Sequence, residues 1–133
     1  MADFAPMSSP SLLVADDHPL FRAAVLHVLH ARFAQYQTLE AASAATVSSM
    51  LQAHPEVELV LLDLTMPGAR GFSTLLHVRG EYSEVPVVII SSNDHPRVIR
   101  RAQQFGAAGF IPKSASAEEI AQAIEAVLAG DSW

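Results

Sequence analysis

The stretch Val60-Leu61-Leu62-Asp63-Leu64-Thr65-Met66-Pro67-Gly68 decides the fold of this chain. It begins as a continuous apolar run, which is typical of a strand buried on both faces of a parallel sheet. Proline gives no N–H to a sheet and glycine suits a turn, so the strand should end ahead of them. Asp63 is therefore predicted at the carboxyl end of a central strand, the edge where open α/β sheets bind ligands. A carboxylate there is a metal ligand, a nucleophile or a capped structural residue.

Length and composition narrow the class of protein. The 133 residues are half hydrophobic, which predicts one globular domain. The formal net charge of −6 argues against nucleic-acid binding by this part itself. The absence of cysteine removes disulfide and thiol chemistry and fits a cytoplasmic protein. No apolar run approaches the roughly 20 residues of a membrane span, and residues 1–10 are interpreted as a disordered tail.

Strands and helices alternate along the rest of the chain. Besides the Asp63 strand, strands are predicted at residues 11–15, 36–40, 85–90 and 108–111. Helices are predicted from 18 or 19 to 29, and at 41–54, 72–79, 96–106 and 116–129. The first helix should bury a stripe that includes Leu20 and Ala24. Gly80 should end the third helix, and Ser116 with Glu119 forms a capping box for the last. Because each crossover is the size of a helix, the strands should be parallel, in a three-layer α/β/α sandwich.

Polar side chains follow four of the five predicted strands. They are Asp16 and Asp17, then Asp63, then Ser91, then Lys113. Each alone is usually a turn, loop or solvated residue, but together they should meet at one edge. Three carboxylates in one pocket repel one another. A divalent cation such as Mg²⁺, which prefers oxygen ligands, would relieve that repulsion, and so would the ammonium of Lys113.

The six histidines show no spacing typical of metal ligands. His18 directly follows Asp17 and is close enough to touch the predicted pocket. We nevertheless interpret it as a structural residue, and Trp133 as an exposed tail residue.

Four segments resemble the receiver domain of bacterial two-component response regulators. They are Ala15-Asp16-Asp17-His18-Pro19-Leu20-Phe21, Leu62-Asp63-Leu64-Thr65-Met66-Pro67-Gly68, Ile89-Ile90-Ser91-Ser92 and Gly106-Ala107-Ala108-Gly109-Phe110-Ile111-Pro112-Lys113. The first and last look most like receivers that precede a LuxR/NarL-type helix-turn-helix domain. The resemblance covers residues 11–130 and implies a flavodoxin-like (CheY-like) fold with strand order 2-1-3-4-5.

The resemblance also implies roles for the polar residues. Asp63 would be the phosphoacceptor for a sensor histidine kinase. Asp16 and Asp17 would hold Mg²⁺ together with Asp63 and the backbone carbonyl of Thr65. Thr65 departs from the asparagine that is frequent in the family, and its side chain should alter the lifetime of the phosphate.

Three further residues would respond to the phosphoryl group. Ser91 would hydrogen-bond the acyl phosphate, and Lys113 would pair with a phosphate oxygen. Phe110 would be the switch aromatic, changing rotamer as Ser91 moves. It replaces a frequent tyrosine, so its burial would depend on packing alone.

The resemblance implies a longer parent protein. Residues 131–133 resemble the start of a linker to a DNA-binding helix-turn-helix domain missing from this chain, which would regulate transcription. The implied partners are a sensor kinase and a second copy of the chain on activation. The implied receiver is not an enzyme, although it should phosphorylate itself from small phosphodonors and dephosphorylate itself.

Three alternatives are weighed against this reading. An aspartate-nucleophile phosphohydrolase usually carries a second Asp two residues after the first, where this chain has Thr65. A flavodoxin-like cofactor module would need a Gly- or Ser/Thr-rich phosphate loop after the first strand, where Asp16 and Asp17 stand. A phosphorylation-independent dimerisation module would not need the intact set of polar residues.

Overall fold

A computed structural model describes residues 9–68 and 71–133. Within these residues five strands alternate with five helices. The strands are β1 (Ser11–Ala15), β2 (Gln37–Ala41), β3 (Val57–Asp63), β4 (Val87–Ser91) and β5 (Gly109–Pro112). The helices are α1 (Pro19–Arg32), α2 (Ala44–Ala53), α3 (Ser73–Glu81), α4 (Pro96–Gln104) and α5 (Ala117–Leu128). The tail predicted at residues 1–10 lies almost wholly outside the described residues, as do Ala69 and Arg70, which follow the glycine of the predicted turn.

The five strands form one parallel sheet in the order β2-β1-β3-β4-β5. This confirms the predicted α/β sandwich and the strand order. β3 is the central strand, pairing β1 on one side and β4 on the other, with Asp63 opposite Ile90. Its burial on both faces is the physical reason for its unbroken apolar sequence.

Alternate residues of the strands divide the core into two layers. Leu12, Leu61 and Ile90 pack with α1 and α5 on one face of the sheet. Leu13 and Leu62 lie on the opposite face with α2, α3 and α4. The side-chain period of two along each strand produces this division.

The structure corrects several boundaries and one buried face. Ala41 ends β2 instead of opening α2, whose N-cap is Ser43, with its hydroxyl accepting from the N–H of Thr46. Gly80 lies inside α3, which ends one residue later at Glu81. Leu20 is 89% exposed, and Ala24 is also exposed, because the stripe that packs on the sheet is Val25, Val28 and Leu29.

The predicted capping box of α5 is confirmed, and a glycine follows the C-cap of each of the last two helices. Gly106 directly follows the C-cap of α4 at a φ of +96°, and Gly130 follows that of α5 at +94°, a conformation that glycine adopts without steric cost. Both bonds of the capping box between Ser116 and Glu119 are present. Trp133 is 46% exposed, as predicted for a tail residue, but its N–H donates to the carbonyl of Ala108.

No helix in the described part of the chain is long and apolar enough to cross a membrane.

Candidate functional site

The carboxyl ends of four neighbouring strands bring the predicted polar residues to one edge. Asp16 follows β1, Asp63 ends β3, Ser91 ends β4 and Lys113 follows β5. The order β1-β3-β4-β5 makes these ends adjacent, as parallel pairing requires. We call the group of Asp16, Asp17, His18, Asp63 and Lys113 the acidic pocket.

Asp63 is held by the turn that follows its strand. It is 1% exposed, and its Oδ1 accepts the backbone N–H of Thr65 at 3.2 Å. The hydroxyl of Thr65 also lies 3.1 Å from Oδ1 and 3.2 Å from Oδ2. The ammonium of Lys113 is 3.3 Å from Oδ2. One carboxylate therefore has a fixed orientation at the end of the central strand, facing a cation.

Asp16 is equally buried and bridges the sheet to α1. Its Oδ1 accepts the backbone N–H of His18 at 2.7 Å, and its Oδ2 lies 3.0 Å from the ammonium of Lys113. Its backbone contacts both β2 and α1, because its N–H donates to the carbonyl of Ala41 and its carbonyl accepts from the guanidinium of Arg22. The first acid of the pair is thus fixed by backbone contacts on both sides.

The side chain of Lys113 is mostly buried as it extends toward the carboxylates. Its backbone N–H donates to the carbonyl of Ser91 at 2.9 Å, which continues the pairing of β4 and β5. The side chain is 14% exposed, and its ammonium lies 5.0 Å from the ring centre of Phe21. This aromatic face favours a cation and helps keep the ammonium inside the pocket.

The pocket holds more negative than positive charge. Asp16, Asp17 and Asp63 contribute three carboxylates, against one ammonium. The buried atoms Asp16 Oδ2 and Asp17 Oδ1 accept no hydrogen bond, and Oδ2 of Asp16 has only its ion contact with Lys113. Burying such atoms without donors is costly. Oxygen donors left free in this way fit a hard divalent cation.

His18 also lies in the pocket, which its position directly after Asp17 made possible, although the sequence led us to interpret it as a structural residue. Its Nδ1 is 3.0 Å from Asp16 Oδ1. The same nitrogen is 3.4 Å from Asp17 Oδ1 and 3.4 Å from Asp63 Oδ2. One ligand-type atom from each of the three acids and this histidine lie within 4.8 Å of one another. The sequence signal for it was its position between Asp17 and the proline that opens α1.

Ser91 and Phe110 are both buried, at the end of β4 and inside β5. The Ser91 hydroxyl accepts the N–H of Asn93 at 3.0 Å, within the loop that leads to α4. Phe110 is 6% exposed and packs in the layer beneath α4, paired across the strands with Ile89. Their switching roles, and the metal-binding role of the Thr65 carbonyl, stay predictions.

Comparison with known proteins identifies one family. The family described as "Response regulator receiver domain" matches residues 12–125, which include the whole acidic pocket. The "Glycerol metabolism activator" of Pseudomonas putida is 39% identical over 120 residues, covering 90% of this chain and 54% of that protein. The chain spans about half the length of the curated relatives it matches.

Solved structures give the same fold. The signal receiver domain of the putative response regulator NarL from Mycobacterium tuberculosis aligns with a TM-score of 0.79 and 33% identity, covering 93% of this chain and 99% of that chain. A LuxR family two-component response regulator from Aurantimonas aligns with a TM-score of 0.84 and 29% identity, covering 94% and 89%. Both matches cover more than nine-tenths of this chain.

Proposed function

The chain belongs to the response regulator receiver domain family, in its NarL/LuxR-type branch, and from that premise we propose that Asp63 accepts a phosphoryl group from a phosphohistidine of a sensor kinase. The observation that carries this proposal is the position of Asp63. It is a buried carboxylate at the end of the central strand, 3.3 Å from the ammonium of Lys113. A receiver of this kind takes and loses a phosphoryl group and is not a classical enzyme.

The transfer requires positioning and charge compensation rather than a base. An oxygen of Asp63 forms a bond to phosphorus while the bond from phosphorus to the imidazole nitrogen of the donor breaks, and the imidazole leaves. Thr65 holds both oxygens of the nucleophile, so little reorganisation precedes attack. Lys113 lies near enough to offset the charge of the transferred group.

The metal proposed for this site is Mg²⁺, held by Asp16, Asp17, Asp63 and the backbone carbonyl of Thr65. When bound, it would offset charge on the phosphoryl oxygens. The excess of carboxylates and the two buried carboxylate oxygens that accept no hydrogen bond support this proposal.

Phosphorylation would act on the loop between β4 and α4. The phosphoryl oxygens are strong acceptors, and the hydroxyl of Ser91 would donate to one of them. In the structure this hydroxyl accepts the N–H of Asn93, and its movement toward a phosphoryl group would stretch that bond. Phe110 packs beneath α4 and would change rotamer as Ser91 moves. Inverting a two-state population takes about 5.5 kcal/mol of differential binding, which several charge-assisted hydrogen bonds can supply.

The partners follow from the same proposal. Leu20 is 89% exposed at the start of α1, and with Phe21 it lies beside Lys113, so an apolar surface suited to a docking kinase adjoins the acceptor. We expect the activated domain to pair with a second copy. We also expect DNA binding by a domain elsewhere in the parent protein, in the cytoplasm, where ATP supplies the kinase.

The test is phosphorylation by acetyl phosphate and Mg²⁺, followed by intact mass measurement. Wild type should gain one phosphoryl adduct, and Asp63→Asn should gain none. The matched control is Asp94→Asn, the same substitution at an exposed acid in the β4–α4 loop, which should behave as wild type. An adduct on Asp63→Asn would mean that Asp63 is not the phosphoacceptor. No adduct on wild type from acetyl phosphate or from a phosphorylated kinase would favour the dimerisation module instead.

A further inference from the structure

His18 occupies the N-cap position of α1 but does not cap it. Its φ and ψ are those of an N-cap, and its side chain makes no hydrogen bond to the first turn of the helix. The imidazole turns instead toward the three carboxylates, with 57% of its side chain still exposed. A capping role therefore does not account for the direction of this ring.

The Nδ1 atom of His18 faces the pocket. The ammonium of Lys113 lies 2.9 Å from it, and Asp16 Oδ1 already accepts the backbone N–H of His18. We assign the ring proton to Nε2, the tautomer in which Nδ1 accepts from Lys113. The lone pair of Nδ1 and those of the surrounding carboxylates then converge on one cationic centre.

The distances within this group are those of ligands that share one ion. Atoms in neighbouring positions around an ion with bonds of about 2.1 Å lie about 3.0–3.4 Å apart. Nδ1 of His18 is 3.0 Å from Asp16 Oδ1 and 3.4 Å from Asp17 Oδ1. It is also 3.4 Å from Asp63 Oδ2. Two of the nearby carboxylate oxygens, Oδ2 of Asp16 and Oδ1 of Asp17, are buried without a hydrogen bond.

We infer that His18 provides a nitrogen ligand to the divalent ion of the acidic pocket, so that the site binds first-row transition ions more tightly than Mg²⁺. Mg²⁺ takes oxygen ligands, whereas imidazole suits Co²⁺, Ni²⁺ and Zn²⁺. Lys113 loses its contact with Nδ1 when the ion binds and keeps its contacts with Asp16 Oδ2 and Asp63 Oδ2. The inference rests on the metal site of the proposed function.

The experiment measures metal affinity directly, without phosphorylation. Co²⁺ and Mg²⁺ are titrated calorimetrically into wild type, His18→Ala and the control His27→Ala, an exposed histidine of the same helix. We expect His18→Ala to lose about tenfold or more in Co²⁺ affinity and less than about threefold in Mg²⁺ affinity. His18→Asn places an oxygen near the same position and should keep Mg²⁺ binding while losing Co²⁺ preference. His27→Ala should match wild type.

A spectroscopic measurement separates a ligand from a structural neighbour. Pulsed EPR of bound Mn²⁺ should show coupling to a directly bound nitrogen in wild type and His27→Ala, and none in His18→Ala. Equal metal affinities in wild type and His18→Ala would overturn the inference. Tighter binding of every metal by His18→Ala would also overturn it, because the imidazole would then occupy the place of the ion. If Mg²⁺ binds and Asp63 is phosphorylated but no nitrogen coupling appears, only the role of His18 fails. If wild type binds no metal, the metal site of the proposed function fails as well.

Discussion

The dipeptide His-Pro begins two helices at the same edge of the sheet, and the two starts differ in what the histidine does. At His95-Pro96 the imidazole caps α4, because its Nδ1 accepts the N–H of Arg97 at 3.0 Å. At His18-Pro19 the imidazole leaves the helix uncapped and lies among carboxylates. The histidine of this dipeptide therefore caps a helix at position 95 and lies in the acidic pocket at position 18. The difference depends on which residues end the adjacent strand.

The two helices also differ in how firmly they are anchored. α1 spans 14 residues and buries Val25, Val28 and Leu29, whereas α4 spans nine and buries only Ala102. Arg32 at the end of α1 also bonds Glu118 and Glu125 of α5. In residues 9–68 and 71–133 no ion pair joins α4 to another element. Few buried contacts mean a low cost of local opening, so α4 is the helix suited to move and α1 the fixed one.

The largest expected effect tests that difference in anchoring. Leu29→Ala, at a fully buried position of α1, should lower the free energy of unfolding by about 3 kcal/mol, since it removes buried methyl groups and leaves a cavity. Ile99→Ala, at a half-buried position of α4, should cost about 1 kcal/mol. Urea unfolding of both variants measures the two values. Equal losses would contradict the unequal anchoring.

Metal binding should stabilise the folded domain through the carboxylates beside the start of α1, and not through the acid near the start of α4. At ten times its dissociation constant, Mg²⁺ should raise the free energy of unfolding by about 1.4 kcal/mol. Asp17→Asn removes a carboxylate beside α1 and should abolish most of that gain, whereas Asp94→Asn near α4 should keep it. Thermal unfolding with Mg²⁺ and with a chelator checks this. A gain that survives Asp17→Asn would place the ion elsewhere.

Replacing each of the two histidines with alanine should show which one caps a helix and which one belongs to the acidic pocket. His95→Ala deletes a capping bond and should cost about 1 kcal/mol of stability. His18→Ala deletes no cap and should change stability by less than about 0.5 kcal/mol in the absence of metal. Urea midpoints in chelator give both values. A larger loss at position 18 than at position 95 would mean that His18 supports the helix after all.

The smallest effect concerns the ion pair that ties α1 to α5. The hydrogen bond from Arg32, together with the charge of its guanidinium, holds the pKa of the Glu118 carboxyl below its ordinary value of 4.5. A carboxyl whose pKa is lower in the folded state stabilises the fold above its unfolded pKa and loses that contribution as the pH falls through the folded pKa. Wild type should therefore exceed Glu118→Gln in urea midpoint near neutral pH, and the difference should shrink as the pH falls below 4.5. A difference that is constant with pH would exclude the ion pair as its source.

Local patterns in the sequence were enough to predict the sheet and most of the pocket. The unbroken apolar run before Asp63 predicted a strand buried on both faces, and strands separated by helices predicted parallel pairing. Parallel strands place their carboxyl ends together, so the acids after β1 and β3 and the lysine after β5 were predicted to meet. Short-range periodicity and simple connectivity decide these features.

Only the tertiary structure decided which face of α1 packs on the sheet and where His18 points. Helical spacing alone assigned Leu20 to the core, but in the first turn of α1 it is 89% exposed. The dipeptide His-Pro is identical in sequence at positions 18 and 95. Only at position 18 do β1 and β3 place acids next to the histidine, and there the imidazole lies in the pocket. Such features depend on contacts between residues far apart in the chain, which periodicity within one segment does not contain.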